Sequence, residues 1–464
     1  ILSKARKIKA SNEKFKFLVS GDDKASNFYK ENFSRMFYYV QNRIPEISNS
    51  IVSIDEAMKA GFGWKDGPFE IWNHIGINEG KELMKLYGLE TAKWIDEILS
   101  NGYNEFYRKS KGVVEYYDIT SKKYKIKPGQ EGFIILKNIL GDKVVWSNSE
   151  ATLFDIGNDI VNLEFSSKMN VINQNIITSL KKSVEIAEKD FKGLIIGNEG
   201  SHFSAGADIS MIFLLSIEQE YDELNHVMKI FQDTMMRLRY SAIPVVAAPH
   251  GYTLGGGCEL CLQCDAVVPY GETYVGLVEA GIGLLPGGGG MKEMILRASD
   301  KFKKNDVEVN ILQEYFMNIG MGKTATSGFE GYELDYFIKG RDVIVMNKKN
   351  QIHIAKQKAL NLFEAGYTKP IERNDIKVLG KQALGMLYVG VDSLRAGDYI
   401  SDHDKKIANK IAYVLCGGDL SQPTKVSEQY LLELEREAFI SLCGERKTLE
   451  RMQYMLRNGK PLRN

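Results

Sequence analysis

Three clusters of small residues most restrict what this chain can fold into, and the first two follow short apolar runs. They occupy residues 203–208 (FSAGAD), 255–260 (GGGCEL) and 276–290 (GLVEAGIGLLPGGGG). Glycines that open a helix let a ligand approach the backbone and leave N–H groups pointing outward at the positive helix end. We therefore expect strand–turn–helix units whose turns share one anionic ligand. A tight turn formed only for packing is the alternative for each cluster taken alone.

Short β-type runs alternate with helical stretches from residue 132 onward, which indicates an α/β core. The predicted strands are 132–136, 144–146, 153–156, 161–165, 194–196, 245–248 and 266–268. The predicted helices between them are 173–189 and 218–239. From residue 291 helices dominate, with Ser401 as an N-cap and an amphipathic stretch over 427–443.

In the first part of the chain, from Asn27 to roughly Gly102, apolar residues recur with the period of a helix. Phe33, Met36, Phe37 and Val40 recur on one face, and Ser53 is predicted to cap the helix that follows. No dinucleotide-binding turn is expected, because the glycines of this part lack the required spacing and no strand leads into them.

The length of 464 residues predicts roughly two or three domains, since single cores stop growing at roughly 250–300 residues. Lys, Gly, Ser and Pro become frequent between residues 110 and 132, which indicates a linker or hairpin. We expect a helical domain over 1–110, a linker over 111–131, a core over 132–345 and a helical region over 346–464 that completes the core.

The composition favours a small-molecule partner. Lys plus Arg and Asp plus Glu each number 60, so no overall field attracts nucleic acid or a membrane. Hydrophobic residues make up 44%, which is typical of a globular chain. The five cysteines are an odd number and indicate reduced thiols in the cytoplasm. The chain starts at Ile1 rather than Met, so we expect it to be a piece of a longer protein.

The three glycine clusters, in this order and spacing, resemble the crotonase superfamily, over about residues 132–340 and more loosely through the C-terminal helices. The resemblance implies an α/β core of the ββα spiral type. It also implies that Ala207 and Gly256 supply two oxyanion N–H groups, and that Glu259 and Glu279 occupy the two catalytic carboxylate positions.

The presence of both carboxylates favours hydration of a 2-enoyl-CoA thioester in fatty-acid β-oxidation. We expect Glu259 to activate water at the β-carbon and Glu279 to deliver a proton to the α-carbon. The alternative for Glu259 is a solvated partner of the helix dipole. The rival functions are enoyl-CoA isomerisation or another reaction of the family, and a non-catalytic scaffold.

The resemblance implies CoA as part of the substrate and no metal or redox cofactor for hydration. Lys168 is the nearest candidate for the CoA phosphates, and an exposed, solvated lysine is the alternative. Ser204, Ala205 and Asp208 complete the candidate binding residues, although Asp208 is favoured as a helix N-cap. Homo-oligomers occur in the family and remain open here.

Residues 54–72 (IDEAMKAGFGWKDGPFEIW) resemble the C-terminal helical domain of 3-hydroxyacyl-CoA dehydrogenases, a match that covers roughly residues 25–105. This implies an all-α N-terminal domain. The order of the two parts resembles the C-terminal portion of a bifunctional dehydrogenase/hydratase. We expect NAD to bind only where a nucleotide-binding domain precedes these helices.

Two motifs imitate other sites. Cys258, Cys261 and Cys264 have the spacing C-x2-C-x2-C, but on one helix they are favoured as small buried residues rather than metal ligands. The run 320–324 (GMGKT) resembles the end of a phosphate-binding loop, but Met317 stands where the first glycine is needed.

Overall fold

The computed structural model describes residues 2–8, 10–110, 113–130, 132–139, 141–303 and 305–464. The chain divides into two compact units, unit 1 over 1–131 and unit 2 over 132–464. The start of unit 2 coincides with the predicted start of the α/β core.

Unit 1 contains helices followed by a small antiparallel sheet of strand order β1–β2–β3. Its helices are α1 Leu2–Ala5, α2 Ser11–Ser20, α3 Lys24–Asn42, α4 Ile51–Phe62, α5 Pro68–Ile75, α6 Ile77–Leu86 and α7 Lys93–Ser100. Its strands are β1 Tyr107–Ser110, β2 Val113–Asp118 and β3 Lys123–Ile126.

The core of unit 1 is aromatic. Phe37, Phe69, Trp72 and Phe106 are fully buried, and the rings of Phe37 and Trp72 stack with centroids 4.7 Å apart. Buried aromatic rings contribute large apolar areas, so this cluster fastens α3 to α5 and to the segment that leads into β1.

Three predictions for unit 1 need correction. The domain is not all-α, and β2 and β3 both lie within the predicted linker, of which residues 111, 112 and 131 lie outside the described residues. The hairpin alternative is the correct one, because Tyr116 and Tyr117 are buried and outweigh the surrounding polar composition. The N-cap of α4 is Ser50 rather than Ser53.

Unit 2 is built on a six-stranded sheet of order β10–β8–β7–β6–β5–β4. Strands β4 to β6 run antiparallel, and β6, β7, β8 and β10 run parallel. The strands are β4 Val144–Ser147, β5 Ala151–Asp155, β6 Ile160–Phe165, β7 Gly193–Ile196, β8 Val245–Ala247, β9 Gly251–Leu254, β10 Ala266–Val267, β11 Thr273–Gly276, β12 Ile376–Val378 and β13 Thr424–Val426. Strands β9 and β11 form a parallel pair, and β12 and β13 an antiparallel pair.

The helices of unit 2 lie between and after these strands. They are α8 Gln174–Asp190, α9 Ile209–Ile217, α10 Tyr221–Arg239, α11 Gly256–Leu262, α12 Gly290–Lys301, α13 Glu308–Gly320, α14 Gly328–Glu333, α15 Gln351–Glu364, α16 Gly380–Ala396, α17 Asp402–Leu415, α18 Glu428–Cys443 and α19 Arg446–Asn458. A 3₁₀ turn spans Glu279–Ile282.

Both faces of the parallel sheet are covered, because successive side chains of a strand point to opposite faces. Leu194 and Ile196 join the main core with α8, whereas Ile195 lies in a second cluster with Ala355 and Ala359 of α15. This explains why β7 reads as a continuous apolar run.

The predicted strands from residue 144 onward are confirmed, but the strand predicted at 132–136 is wrong. Residues Leu136–Asn138 form a 3₁₀ turn instead. The pairs β9–β11 and β12–β13 were not predicted, because strands of three or four residues carry too little alternation to be recognised. Ser401 caps α17, as predicted. Ser427, at the start of the predicted amphipathic stretch, caps α18.

Within the part of the chain that the structure describes, no helix has both the length and the apolar character needed to cross a membrane.

Candidate active site

Two turns meet beyond the carboxyl ends of β7 and β8. The backbone of Ser204 accepts from the Leu254 N–H at 3.1 Å and donates to the Tyr252 carbonyl at 3.0 Å. The Ser204 hydroxyl accepts from the Gly206 N–H at 3.1 Å. Crevices outside the carboxyl ends of parallel strands are where α/β folds bind ligands. These bonds fix the first glycine cluster against the second.

The N–H groups of Ala207 and Gly256 lie side by side at this junction. A Cβ atom at Gly256 would lie 3.1 Å from the Ala207 nitrogen. Neither N–H donates to a protein acceptor among the described residues. Two adjacent, unused backbone donors are the geometry of an oxyanion hole.

Glycine is required at two of the positions that bring these donors together. Gly206 has φ +104°, a region that other residues rarely adopt, and a Cβ there would lie 3.0 Å from the Leu254 carbonyl oxygen. At Gly257 a Cβ would lie 2.7 Å from the Ser204 Cβ.

Glu259 lies in the first turn of α11 and is 3% exposed. Its Oε1 accepts from the N–H groups of Gly288 and Gly290, at 2.7 and 2.9 Å. Both hydrogen bonds are accepted by Oε1, and Oε2 accepts none from the residues that the structure describes. Burial raises the pKa of Glu259 to about 7, against the opposing effect of the two N–H bonds.

The glycines of the third cluster are needed for this contact. A Cβ at Gly288 would lie 2.3 Å from Cε1 of Phe231 and 2.7 Å from Oε2 of Glu259. At Gly290 a Cβ would lie 2.9 Å from Oε1 of Glu259. Only glycine lets the start of α12 approach this carboxylate.

Glu279 begins the 3₁₀ turn and faces the second cluster. A Cβ at Gly255 would lie 2.8 Å from its Oε1. The residue keeps some exposed surface, but its Oε2 is buried and has no hydrogen-bond partner among the described residues. Burial, and then the charge of Glu259, raise the pKa of Glu279 well above its ordinary value. Both effects favour the protonated form of Glu279.

The site thus places two buried carboxyl groups and two unused backbone donors around one junction. The charge of Glu259 raises the pKa of Glu279, so ionisation of Glu259 opposes ionisation of Glu279. Two carboxyl groups whose environments separate their pKa values can perform base and acid steps at one pH.

The remaining predicted binding residues lie around the first turn. Lys168 is exposed, in a loop whose Met169 carbonyl accepts from the Ala205 N–H at 3.1 Å. Ser204 is fully buried, and its hydroxyl is used within the turn. Asp208 caps α9 by accepting from the Ser210 N–H at 3.0 Å. Of this group, Lys168 is the residue whose side chain is exposed.

One further acidic residue at the site was not predicted from the sequence. Glu435, on α18, is fully buried and accepts from the N–H groups of Gly289 and Lys292. No motif marks it, since it lies far along the chain from the glycine clusters. A glutamate on the apolar face of an amphipathic helix was the available signal.

The cysteines of α11 and its end are buried and unpaired. Burial raises the pKa of Cys258 and of Cys261 well above the ordinary thiol value, so both stay protonated. Across the residues that the structure describes, no group of three His, Cys, Asp or Glu side chains is arranged to hold a metal ion.

A protein-family model described as Enoyl-CoA hydratase/isomerase matches residues 155–303. A Bacillus subtilis (strain 168) protein named "Probable 3-hydroxyacyl-CoA dehydrogenase" is 40% identical over 464 residues, which cover all of this chain and 58% of that protein. A Psychrobacter arcticus "Fatty acid oxidation complex subunit alpha" is 28% identical over 236 residues, covering 46% of this chain and 32% of that protein.

Among solved structures, enoyl-CoA hydratase from Bacillus halodurans aligns with 17% identity and a TM-score of 0.45, covering 66% of this chain and 99% of that one. The part of unit 2 over residues 155–303 is therefore similar to the enoyl-CoA hydratase/isomerase family. The chain spans little more than half the length of the Bacillus subtilis relative.

Proposed function

We propose that unit 2 is an enoyl-CoA hydratase that adds water across the double bond of 2-enoyl-CoA. The observation that carries the proposal is the pair of buried carboxyl groups, Glu259 and Glu279, beside two unused backbone donors. Burying a carboxylate without full pairing is costly, so a site that retains two such groups favours chemistry over packing.

In the proposed reaction the thioester oxygen accepts from the N–H groups of Ala207 and Gly256. Glu259 removes a proton from water as the hydroxyl bonds to the β-carbon, and the electrons of the double bond move toward the thioester oxygen. Glu279 then gives its proton to the α-carbon, and the thioester carbonyl reforms. One proton passes from Glu259 to Glu279 to restore the starting state. The fixed N–H donors stabilise the enolate charge without reorganisation.

Isomerisation of a 3-enoyl-CoA is the competing reaction of the same family. It moves one proton between two carbons of the substrate, which a single carboxyl group can do. The free Oε2 of Glu259 favours hydration, because it offers an acceptor for the water that isomerisation does not need.

The test is to supply the purified chain with crotonyl-CoA and, separately, with a 3-enoyl-CoA, and to identify the products. We expect 3-hydroxybutyryl-CoA from the first substrate, at a rate unaffected by a chelator. Conversion of only the 3-enoyl substrate would refute the hydratase proposal in favour of an isomerase. Activity abolished by the chelator would refute the proposed metal-free mechanism.

We also propose that unit 1 completes a 3-hydroxyacyl-CoA dehydrogenase in the whole protein. The sequence of residues 54–72 and the name of the Bacillus subtilis relative support this. In the described part of unit 1 no strand leads into a glycine-rich turn and helix. We expect no saturable NADH binding by the 464-residue chain, followed by NADH fluorescence, and saturable micromolar binding would overturn this interpretation of unit 1.

A further inference from the structure

The start of α12 is held by two buried carboxylates rather than one. Glu259 accepts from the N–H groups of Gly288 and Gly290. Glu435 accepts from those of Gly289, at 2.6 Å, and Lys292, at 2.9 Å. The two glutamates therefore hold neighbouring N–H groups of the same turn, so a displacement of either one moves the donors of the other.

A second carboxylate at this position has an electrostatic cost. Glu435 is fully buried and close enough to Glu259 that their like charges disfavour simultaneous ionisation. A neutral side chain could satisfy N–H donors at a helix start without that cost. Packing and capping alone therefore give no reason for a carboxylate here.

Burial, and then the charge of Glu259, raise the pKa of Glu435 to about 8. The charge of Glu435 in turn contributes to the raised pKa of Glu279. The three carboxyl groups consequently titrate as one set, whose steps belong to the set rather than to single residues.

The charges that face Glu435 come from several elements. Glu259 faces it from α11, Glu279 from the 3₁₀ turn and Lys292 from α12. The Lys292 ammonium is occupied by Gln263, Glu293 and Glu428, in a buried cluster that includes Arg239 of α10. Among the described residues, no charged side chain of α9, α17 or α19 bonds to the Glu435 carboxylate. The charges of Glu259 and Lys292 thus act on the pKa of Glu435 in opposite directions, and the charge of Glu435 acts in turn on Glu279.

We propose that Glu435 is a positioning residue of the hydration site, which fixes the turn that orients Glu259 and sets the pH range in which the Glu259–Glu279 pair holds a single proton. This inference rests on the proposed hydratase function. Glu435 does not touch the reacting atoms and acts through Glu259.

The test compares Glu435→Gln with Glu433→Gln, the same change at an exposed position of the same helix. Glu435→Gln removes one negative charge. It also places the side-chain NH2 of Gln, a donor, against one of the backbone N–H donors that Glu435 accepts from. We expect kcat to fall on the order of ten- to a hundredfold with little change in KM, because misplacement of a reacting group acts on the chemical step. The falling limb of the pH profile should move to lower pH, by about one unit, because the charge of Glu435 contributes to the raised pKa of Glu279. The rising limb should stay in place, because burial raises the pKa of Glu259. Glu433→Gln should match wild type.

Glu435→Asp distinguishes the effect of side-chain length from the effect of charge. It is also the variant to measure if Glu435→Gln does not fold. It keeps the charge but shortens the side chain, so kcat should fall while the limbs stay near their wild-type positions. A wild-type kcat in Glu435→Asp, or a Glu435→Gln enzyme whose only change is a lower melting temperature, would overturn the proposal.

Failure of the proposed function would be seen differently, as an inactive wild-type chain. The protonated carboxyl stretch in infrared spectra needs no turnover and then decides the inference. Loss of that signal with rising pH must be complete at lower pH in Glu435→Gln than in wild type or Glu433→Gln, because the charge of Glu435 contributes to the raised pKa of Glu279. An unmoved titration would refute the electrostatic coupling of Glu435 to the pair.

Discussion

Each unit of this chain buries an acidic side chain whose pKa is raised to about 7, Asp55 in unit 1 and Glu259 in unit 2. Both accept backbone N–H groups near a helix start. Asp55 accepts from Phe69 at 2.8 Å and Glu70 at 3.1 Å, and also from the Tyr107 hydroxyl at 2.7 Å. Both of its oxygens are used.

The two sites differ in what is left unsatisfied. Glu259 has a free oxygen, and the nearby Glu279 has a buried oxygen with no partner among the described residues. Asp55 instead has Lys59 close enough to stabilise its charge. A raised pKa is therefore common to a structural acid and a candidate catalytic acid, and unused oxygens beside a second carboxyl group distinguish the two.

The comparison is tested most strongly by removing the acids of unit 2. Glu259→Gln and Glu279→Gln should each lower turnover by on the order of 10²–10⁴, as expected for general acid–base groups, while the fold is retained. The measurement is steady-state hydration of crotonyl-CoA, with circular dichroism as the control for folding. Near-wild-type rates in either variant would give that glutamate the same structural role as Asp55.

The next largest effect concerns the unused donors. Gly256→Pro removes the N–H proposed to meet the thioester oxygen, and loss of one oxyanion donor costs about 2.7–4 kcal/mol of transition-state stabilisation. The value of kcat/KM should fall accordingly. Because proline can also distort the turn, a melting curve accompanies the assay. A folded and fully active variant would show that this donor does not bind the oxyanion.

The smallest effect on hydration is expected from Asp55→Asn, which should leave the rate unchanged. It should lower the stability of unit 1 by about 1–3 kcal/mol. The side-chain NH2 of Asn is a donor, so it would face one of the buried donors that bond to the Asp55 carboxyl group. The folded pKa of Asp55 lies above its ordinary value of 3.8, so wild-type stability falls as pH rises from about 4 through about 7.

The stability advantage of wild type over Asp55→Asn should therefore shrink across that pH range. Melting temperatures of both proteins measured at several pH values check this. The difference between wild type and Asp55→Asn at each pH removes the contribution of the other titratable groups, which both proteins share. A pH-independent difference would show that Asp55 titrates normally, and a loss of hydration would end the distinction between the two acids.

Much of unit 2 could be predicted from the sequence, because strands such as β7 are continuous apolar runs between turns and helices. The resemblance carried by the glycine clusters implied the sites of Ala207, Gly256, Glu259 and Glu279, and the structure brings these residues to one junction. The amphipathic pattern can mark Glu435 as a glutamate on an apolar face, but its place in the site depends on the packing of α18 against α12. For the β2–β3 hairpin the sequence left a linker and a hairpin both open, because the buried tyrosines are embedded in polar sequence.

The pH dependence of kcat/KM for crotonyl-CoA hydration tests the central claim most directly. Glu259 must be ionised and Glu279 protonated, so the rate should rise with pH through about 7 and fall again at higher pH, where Glu279 loses its proton. Glu259→Gln should lack the rising limb and Glu279→Gln the falling limb in whatever activity remains. A wild-type profile that is flat across this range, or limbs that survive in both variants, would contradict the assignment of these two glutamates as base and acid.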